Sequence, residues 1–481
     1  MFCRRGPAIL AAMRPDLSSD SCGRGRLALF AALFWGALLV SLARFGVDGF
    51  DASWTWGLML GAVATGLLVP GRAAVQFGAH VLHLLAFACA APHYSNFHTA
   101  AAFTSLAAVV CLGGRRDDPR RIVQFQTATL LALALIYAFA AFIKLNATFF
   151  DPALSPVRAY MEKHPLLTST ASDPVVLAVA VLTVTAEFLI PLCLLVPRLR
   201  LAAIALDVAM HIVFAFRVIP PSLNFPMLAL ALCSLWIPEE GLARWRERLP
   251  RALRFLQWGL LVLAAIVALP KLGFFPKPLA NSLLIAAWLA VAVLLAAWMV
   301  ALIRASPRGG TTFSLAWTPR TVLLAALVAL NGLAPYAGFR TLASYEMFSG
   351  YLHLGGRTNH LLVPAEARRF PYVDRWVHVH ETSHPRLAHY AGRDLVISWT
   401  HFRRLAADGL HHRATFSDSG RLRQLDRLDA DPALARPLAW WERRLVNTMA
   451  VPYPRLAELG LLPPGETRPP HAADTLALSI P

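Results

Sequence analysis

The chain has 481 residues, 57% of them apolar and only 15% charged, and carries a formal net charge of +17. A composition this apolar excludes a disordered charged chain, and for most of the length it excludes an ordinary soluble enzyme. The basic residues are dispersed among short connections instead of gathered with aromatics on one face, which argues against nucleic-acid binding.

Residues 1–25, with Arg4, Arg5, Arg14 and Arg24, read as a basic lead into an uncleaved first span, since no small-residue cleavage site follows closely. Apolar runs able to cross about 30 Å of hydrocarbon then repeat as far as residue 335. The predicted spans are 27–44, 54–70, 73–91, 96–113, 123–143, 174–196, 199–218, 221–237, 252–270, 281–303 and 319–335. Several are short, so one or two are candidates for re-entrant or merged segments.

Connections sharing a side with the N-terminus carry Arg72, then Arg115, Arg116, Arg120 and Arg121, then Arg198 and Arg200, then Arg244 to Arg251, then Arg304 and Arg308. The opposite connections hold only Lys144, Arg158, Lys163, Arg217, Lys271 and Lys277. The positive-inside rule therefore places the N-terminus in the cytoplasm and, with an odd number of spans, the C-terminal region outside.

From about Arg340 the composition becomes that of a small soluble domain. Leu361 to Val363, Trp376 to His380 and Leu395 to Ser398 are predicted strands, Asp418-Ser419-Gly420 a hairpin turn, and Thr400 to Ala407 and Leu438 to Met449 helices. The six cysteines, Cys3, Cys22, Cys89, Cys111, Cys193 and Cys233, all precede this region, which leaves it without a disulfide framework. The expected fold is a polytopic α-helical membrane bundle of about 9 to 11 spans followed by a small exported α+β domain. Its parts are the lead, the bundle at 26–338, the exported domain at 339–462 and a flexible Pro- and Ala-rich tail at 463–481.

Polar residues inside the spans are costly, so they are the candidates for function. Lys144 follows the apolar run Ala128 to Ile143 and is either an interfacial anchor or a reactive amine. With the orientation above, His98, Arg217 and Asn224 share its depth at the outer surface. Glu187 and Asp207 lie deeper, both about 12 to 14 Å from the inner end by helical rise, with His211 one turn from Asp207 on the same face. Two carboxylates and an imidazole at that depth form either a proton-sharing site or a network that locks two helices together. His80 and His83 face either this group or each other. In the exported region His378 and His380 share a strand face, and His384 is a conceivable third zinc ligand, but no cysteine or fourth ligand accompanies them.

Several segments resemble the vitamin K-dependent gamma-carboxylase family and its bacterial relatives, the horizontally transferred transmembrane domain group. They are Phe142-Ile143-Lys144-Leu145-Asn146, Glu187 to Pro191, the Arg198/Arg200 turn, His211, and Ser222 to Pro226. The stretch from Phe348 to Pro364, through Arg357-Thr358-Asn359-His360, resembles the exported segment that follows the bundle in the bacterial relatives. The chain departs from the family at Phe149 and Pro152, and by placing Phe97 between Asn96 and His98.

The resemblance implies that Lys144 is the base that deprotonates reduced vitamin K or menaquinol. It also implies that the oxygenated intermediate abstracts a proton from an exported protein or peptide, which then captures carbon dioxide, and that His98 is a functional histidine. His98 and Asn224 are then expected to orient a quinol that arrives laterally from lipid, and the scheme requires no metal. Two other classes stay open: a non-enzymatic membrane module that binds lipid or a protein partner through its exported domain, and a transporter, although no internal repeat is visible.

Overall fold

The computed structural model describes residues 19–45, 53–70, 72–90, 95–113, 119–162, 167, 170–215, 224–237, 249–268, a few positions between 282 and 301, 315–340, 344–345, 349, 351–391, 395–446, 451–452 and 461. The first part is helical: α1 (Ser19–Phe45), α2 (Ser53–Leu68), α3 (Ala73–Ala90), α4 (Asn96–Leu112), α5 (Pro119–Ile143), α6 (Ala147–Phe150), α7 (Pro156–Glu162), α8 (Asp173–Leu195), α9 (Arg200–Ala215), α10 (Asn224–Ser234), α11 (Leu249–Ala268) and α12 (Pro319–Leu333). Ten of the eleven expected spans coincide with a helix; the remaining one, 281–303, lies largely outside the described residues. Three stretches, Gly25–Leu42, Arg120–Ile143 and Asp173–Leu195, are long and apolar enough to cross a membrane, and the other apolar helices are shorter.

Helix boundaries follow local chemistry. Ser95 caps α4 by accepting from the His98 amide, and Thr318 caps α12 in the same way through Thr321. Proline in the first turn starts α8 and α12, where its missing N–H costs nothing. Helix α1 runs through the bundle, with Phe30, Phe34 and Trp35 packed in one core with Phe125 and Trp236. Gly332 lets α12 lie against α5, because a Cβ there would sit 2.3 Å from the Phe139 ring. Helix α8 is peripheral: only 33% of its apolar window is buried, and Leu182 is 67% exposed.

The C-terminal part holds a two-stranded ribbon, β1 (His353–Leu354) with β2 (Arg357–Thr358), and a five-stranded antiparallel sheet. The sheet is built from β3 (Trp376–Thr382), β4 (Leu395–Ser398), β5 (Ala414–Asp418), β6 (Arg421–Leu425) and β7 (Val451–Pro452), in the order β6-β5-β3-β4-β7. Helices α13 (Pro385–Ala391) and α14 (Trp399–Ala406) join it in a core around Val377, Val379, Leu387, Ile397, Phe402 and Phe416. The expected hairpin turn is present. Ser419 and Gly420 both have positive φ (48° and 88°), as a two-residue turn matched to strand twist requires.

Two expectations are corrected. Leu361 to Val363 is a bend, not a strand. The His360 imidazole takes the amides of Leu362 and Val363 for itself, a local bond that competes with strand pairing. The helix expected at 438–449 is cut to Trp440–Arg444, because Val451 has to be extended again to pair with Val396. Residues 447–450 and the tail from 463 lie outside the described residues.

Candidate functional site

Helix α5 stops because Asn146 takes over its last turn. The Asn146 amide nitrogen donates to the Ile143 carbonyl (2.8 Å), and its Oδ1 accepts from Phe149 N (3.0 Å), ending one helix and capping the next. Lys144 is thereby held one turn above Ala140, whose carbonyl accepts from Nζ at 3.1 Å. The same Nζ donates to both oxygens of Glu187, at 3.0 and 2.8 Å. Lys144 is 3% and Glu187 7% exposed, so this is a buried ion pair.

That pairing corrects the depths inferred from the sequence. Glu187 is fourteen residues into α8, about 21 Å along its axis, yet it meets a lysine expected at the outer surface. Helix α5 ends beside the middle of α8, and the following chain, with Phe149, Val157 and Met161 of α6 and α7, packs on Val176, Ala180 and Val184 along the first half of α8. Lys144 Nζ is buried and points at a carboxylate inside the bundle.

Seven residues before Lys144, two turns away on the same face of α5, the Tyr137 hydroxyl donates to Asp207 Oδ1. The Tyr137 oxygen also lies 2.6 Å from His211 Nε2, and Cys233 Sγ donates to Asp207 Oδ2 at 3.2 Å. A phenol has one proton. Because that proton goes to Asp207, His211 Nε2 must carry the hydrogen that bonds the tyrosine oxygen, which fixes the direction of the network. The expected Asp207/His211 neighbours are thus together, while the two carboxylates serve different partners. Tyr137→Phe is expected to lower stability by about 1–3 kcal/mol by removing a hydrogen bond to a buried carboxylate, whereas Cys233→Ala, which removes only a weak donor, should cost less. Thermal unfolding of both variants in detergent checks the order.

A strap from beyond α12 closes over the Lys-Leu-Asn turn. Leu361 N donates to Leu145 O and Ala147 N to Asn359 O, each at 2.9 Å, forming a bridge between Asn146 and His360. Asn146 Nδ2 also donates to Ser349 O (2.7 Å), and Asn359 Nδ2 to Thr148 Oγ1 (2.7 Å). The Lys-Leu-Asn turn and the Asn359–Leu361 stretch therefore bond to each other. Leu361 and Leu362, at the strap's edge, are 58% and 64% exposed.

His360 is fully used as a neutral ring. Its Nε2 donates to Phe142 O at 3.0 Å, and its Nδ1 accepts from Leu362 N and Val363 N, both at 3.1 Å. Burial pushes its pKa below the ordinary value of 6.5, outweighing the opposite pull of the Phe142 carbonyl. A folded-state value below the unfolded one makes the strap's full stability available above pH 6.5 and erodes it as the pH falls toward the folded value. Buried His353 shifts in the same direction, so the variant His360→Gln is needed to isolate the effect. Amide exchange at Leu362 and Val363, corrected for intrinsic rates, should rise between about pH 7.5 and 5.5 in the wild type more than in His360→Gln.

The remaining expected residues fall elsewhere. His98 sits in the first turn of α4, its Nδ1 2.9 Å from Ser95 Oγ and its Nε2 3.3 Å from Ser41 Oγ of α1. His80 and His83 do not turn toward the acid group; both bond Ser105 of α4. Asn224 opens α10, and Arg217 lies outside the described residues. In the sheet domain the His378 and His380 rings are side by side at 4.6 Å, but His384 packs against His412. Among the described residues no group of three His, Cys, Asp or Glu side chains is placed to hold a metal.

Tyr137 and Cys233 were not picked out as site residues by sequence reasoning, and Asn359 and His360 entered it only as part of the stretch from Phe348 to Pro364. For Tyr137 the one available signal is its seven-residue spacing from Lys144, within a run that otherwise reads as core. Comparison of the chain with family models, with curated proteins and with solved structures returned no match.

Proposed function

We propose that this is an integral membrane protein of the carboxylase-like type. In this reading the Lys144–Glu187 pair acts as the base in oxygenation of a lipid quinol, coupled to proton abstraction from, or carboxylation of, an exported protein or peptide. The N-terminus is cytoplasmic and the sheet domain exported, in keeping with a bacterial inner membrane; the arginine asymmetry of the connections supports that orientation. The observation that carries the reading is the buried contact of Lys144 Nζ with Glu187 at 2.8 Å.

An ammonium is no base, but a carboxylate in hydrogen-bond contact can accept its proton without any change in net charge. The amine so released takes the hydroxyl proton of a quinol. Quinol and dioxygen then give the quinone epoxide and water, and the base needed by the exported substrate arises on that path. Reduced vitamin K or menaquinol fits the class.

The test is oxygen-dependent epoxide formation from these quinols by the full chain in lipid. Product from the wild type and at least roughly a hundredfold less from Lys144→Ala is expected. No product from folded wild-type protein across several quinols overturns the proposal and favours the non-enzymatic module that binds lipid or a partner.

A further inference from the structure

A second polar site lies apart from Lys144, between α1, α3 and α4. His80 Nδ1 and His83 Nδ1 are 2.9 and 2.7 Å from a single atom, Ser105 Oγ. Ser105 and His83 are both 0% exposed and His80 2%. The surrounding surface is aromatic: Phe34 and Trp35 lie 5.2 and 4.9 Å from the His80 ring, and 6.1 and 6.2 Å from that of His83. His83 Nε2 is buried with no hydrogen-bond partner. His98 is held on Ser41 and Ser95 at the start of α4. Ser105 is ten residues, about 15 Å, along the chain from Ser95, about half the thickness of a hydrocarbon core.

The stoichiometry of protons at Ser105 is restrictive. One hydroxyl has one hydrogen, so it donates to one Nδ1 and accepts an Nδ1–H from the other. Two neutral rings must then hold opposite tautomers. One Nε2 carries a hydrogen and the other a lone pair, and reversing the hydroxyl reverses both. A pair serving only to join helices would be satisfied by one histidine on one serine. The second ring, with its unpartnered nitrogen, makes the arrangement symmetric and reversible.

We propose that His83, Ser105 and His80 form a buried proton relay, entered at the unpartnered Nε2 of His83. Starting with the hydroxyl pointing at His80, the lone pair of His83 Nε2 takes a proton from a hydrated proton (hydronium) that reaches it. His83 Nδ1–H passes to Ser105 Oγ while the Ser105 hydrogen passes to His80 Nδ1, and His80 gives the hydrogen on its Nε2 to a water molecule. One proton has entered and one has left, no electrons have moved, and the hydroxyl now points at His83. The relay does not depend on the reaction proposed for Lys144, since His80, His83 and Ser105 are not among the residues assigned to that reaction.

Nitrogen-15 spectra of histidine-labelled full-length protein in bilayers test it, with His80→Gln and His83→Gln assigning the two rings. The expected result is a pair of opposite tautomers that exchange together, with exchange lost at the surviving ring in either glutamine variant. Ser105→Ala should abolish the shared exchange, and Ser105→Thr, which keeps the hydroxyl, should preserve it. Static tautomers at both rings in wild-type protein, or exchange unchanged in a folded Ser105→Ala protein, would overturn the relay and leave the pair as a structural bond between α3 and α4.

Discussion

Lys144→Ala is expected to slow quinol epoxidation by roughly 10²- to 10⁴-fold, the range that a positioned general base contributes. Alanine also strands Glu187 in a buried site, so a loss of rate alone does not separate chemistry from folding. Lys144→Arg does. A guanidinium keeps the positive charge and bonds a carboxylate through two parallel contacts, yet it does not give up its proton under protein conditions. The arginine variant should therefore fold and melt close to the wild type while losing as much activity as alanine. Glu187→Gln should fall in the same activity range, because an amide keeps a hydrogen-bond acceptor for Nζ but takes no proton from it. An arginine variant that turns over quinol within a few-fold of the wild-type rate would sink the base assignment.

The helices are legible in the sequence because they rest on run length: ten predicted spans coincide with helices, three of them long and apolar enough to cross a membrane, and Ser95, Asn146 and Thr318 mark helix starts by their cap chemistry. What the sequence conceals is relative depth. Placing Lys144 at the surface and Glu187 far below assumes that each span crosses the full thickness. Helix α5 ends at Asn146 beside the middle of α8, and the short helices α6 and α7 take up the remaining length, so residues far apart in estimated depth become an ion pair. Composition gives no warning of this, since Phe149, Val157 and Met161 are as apolar as a span.

The second polar group was only half legible. Asp207 and His211 follow from helical spacing within one element, but their link to Tyr137 crosses between helices, and a tyrosine in an apolar run reads as ordinary core. The strap illustrates the opposite failure. Leu361 to Val363 has strand composition, but His360 captures two amides that a strand would need. Within the sheet domain the alternation at Trp376 to His380 identified β3 correctly, because one face of that strand packs on Phe402 and Phe416.

The largest stability effects should come from breaking the Lys144–Glu187 pair one side at a time. Each charge is removed from water and satisfied almost entirely by the other, so Lys144→Met or Glu187→Leu alone leaves an uncompensated buried charge, at a cost of about 3–5 kcal/mol. The double variant removes both charges and replaces them with side chains of similar volume, which in buried sites is often neutral. Unfolding of the four proteins in the same lipid–detergent mixture should therefore show strong non-additivity, with the double variant at least as stable as either single one. Additive losses would mean that Lys144 and Glu187 do not share a proton-bearing contact, and the proposed chemistry would lose its proton acceptor as well as its ion pair. If the coupling is found and the double variant is stable but inactive toward quinol, the charged pair is kept for its reactivity, because the fold itself does not need it.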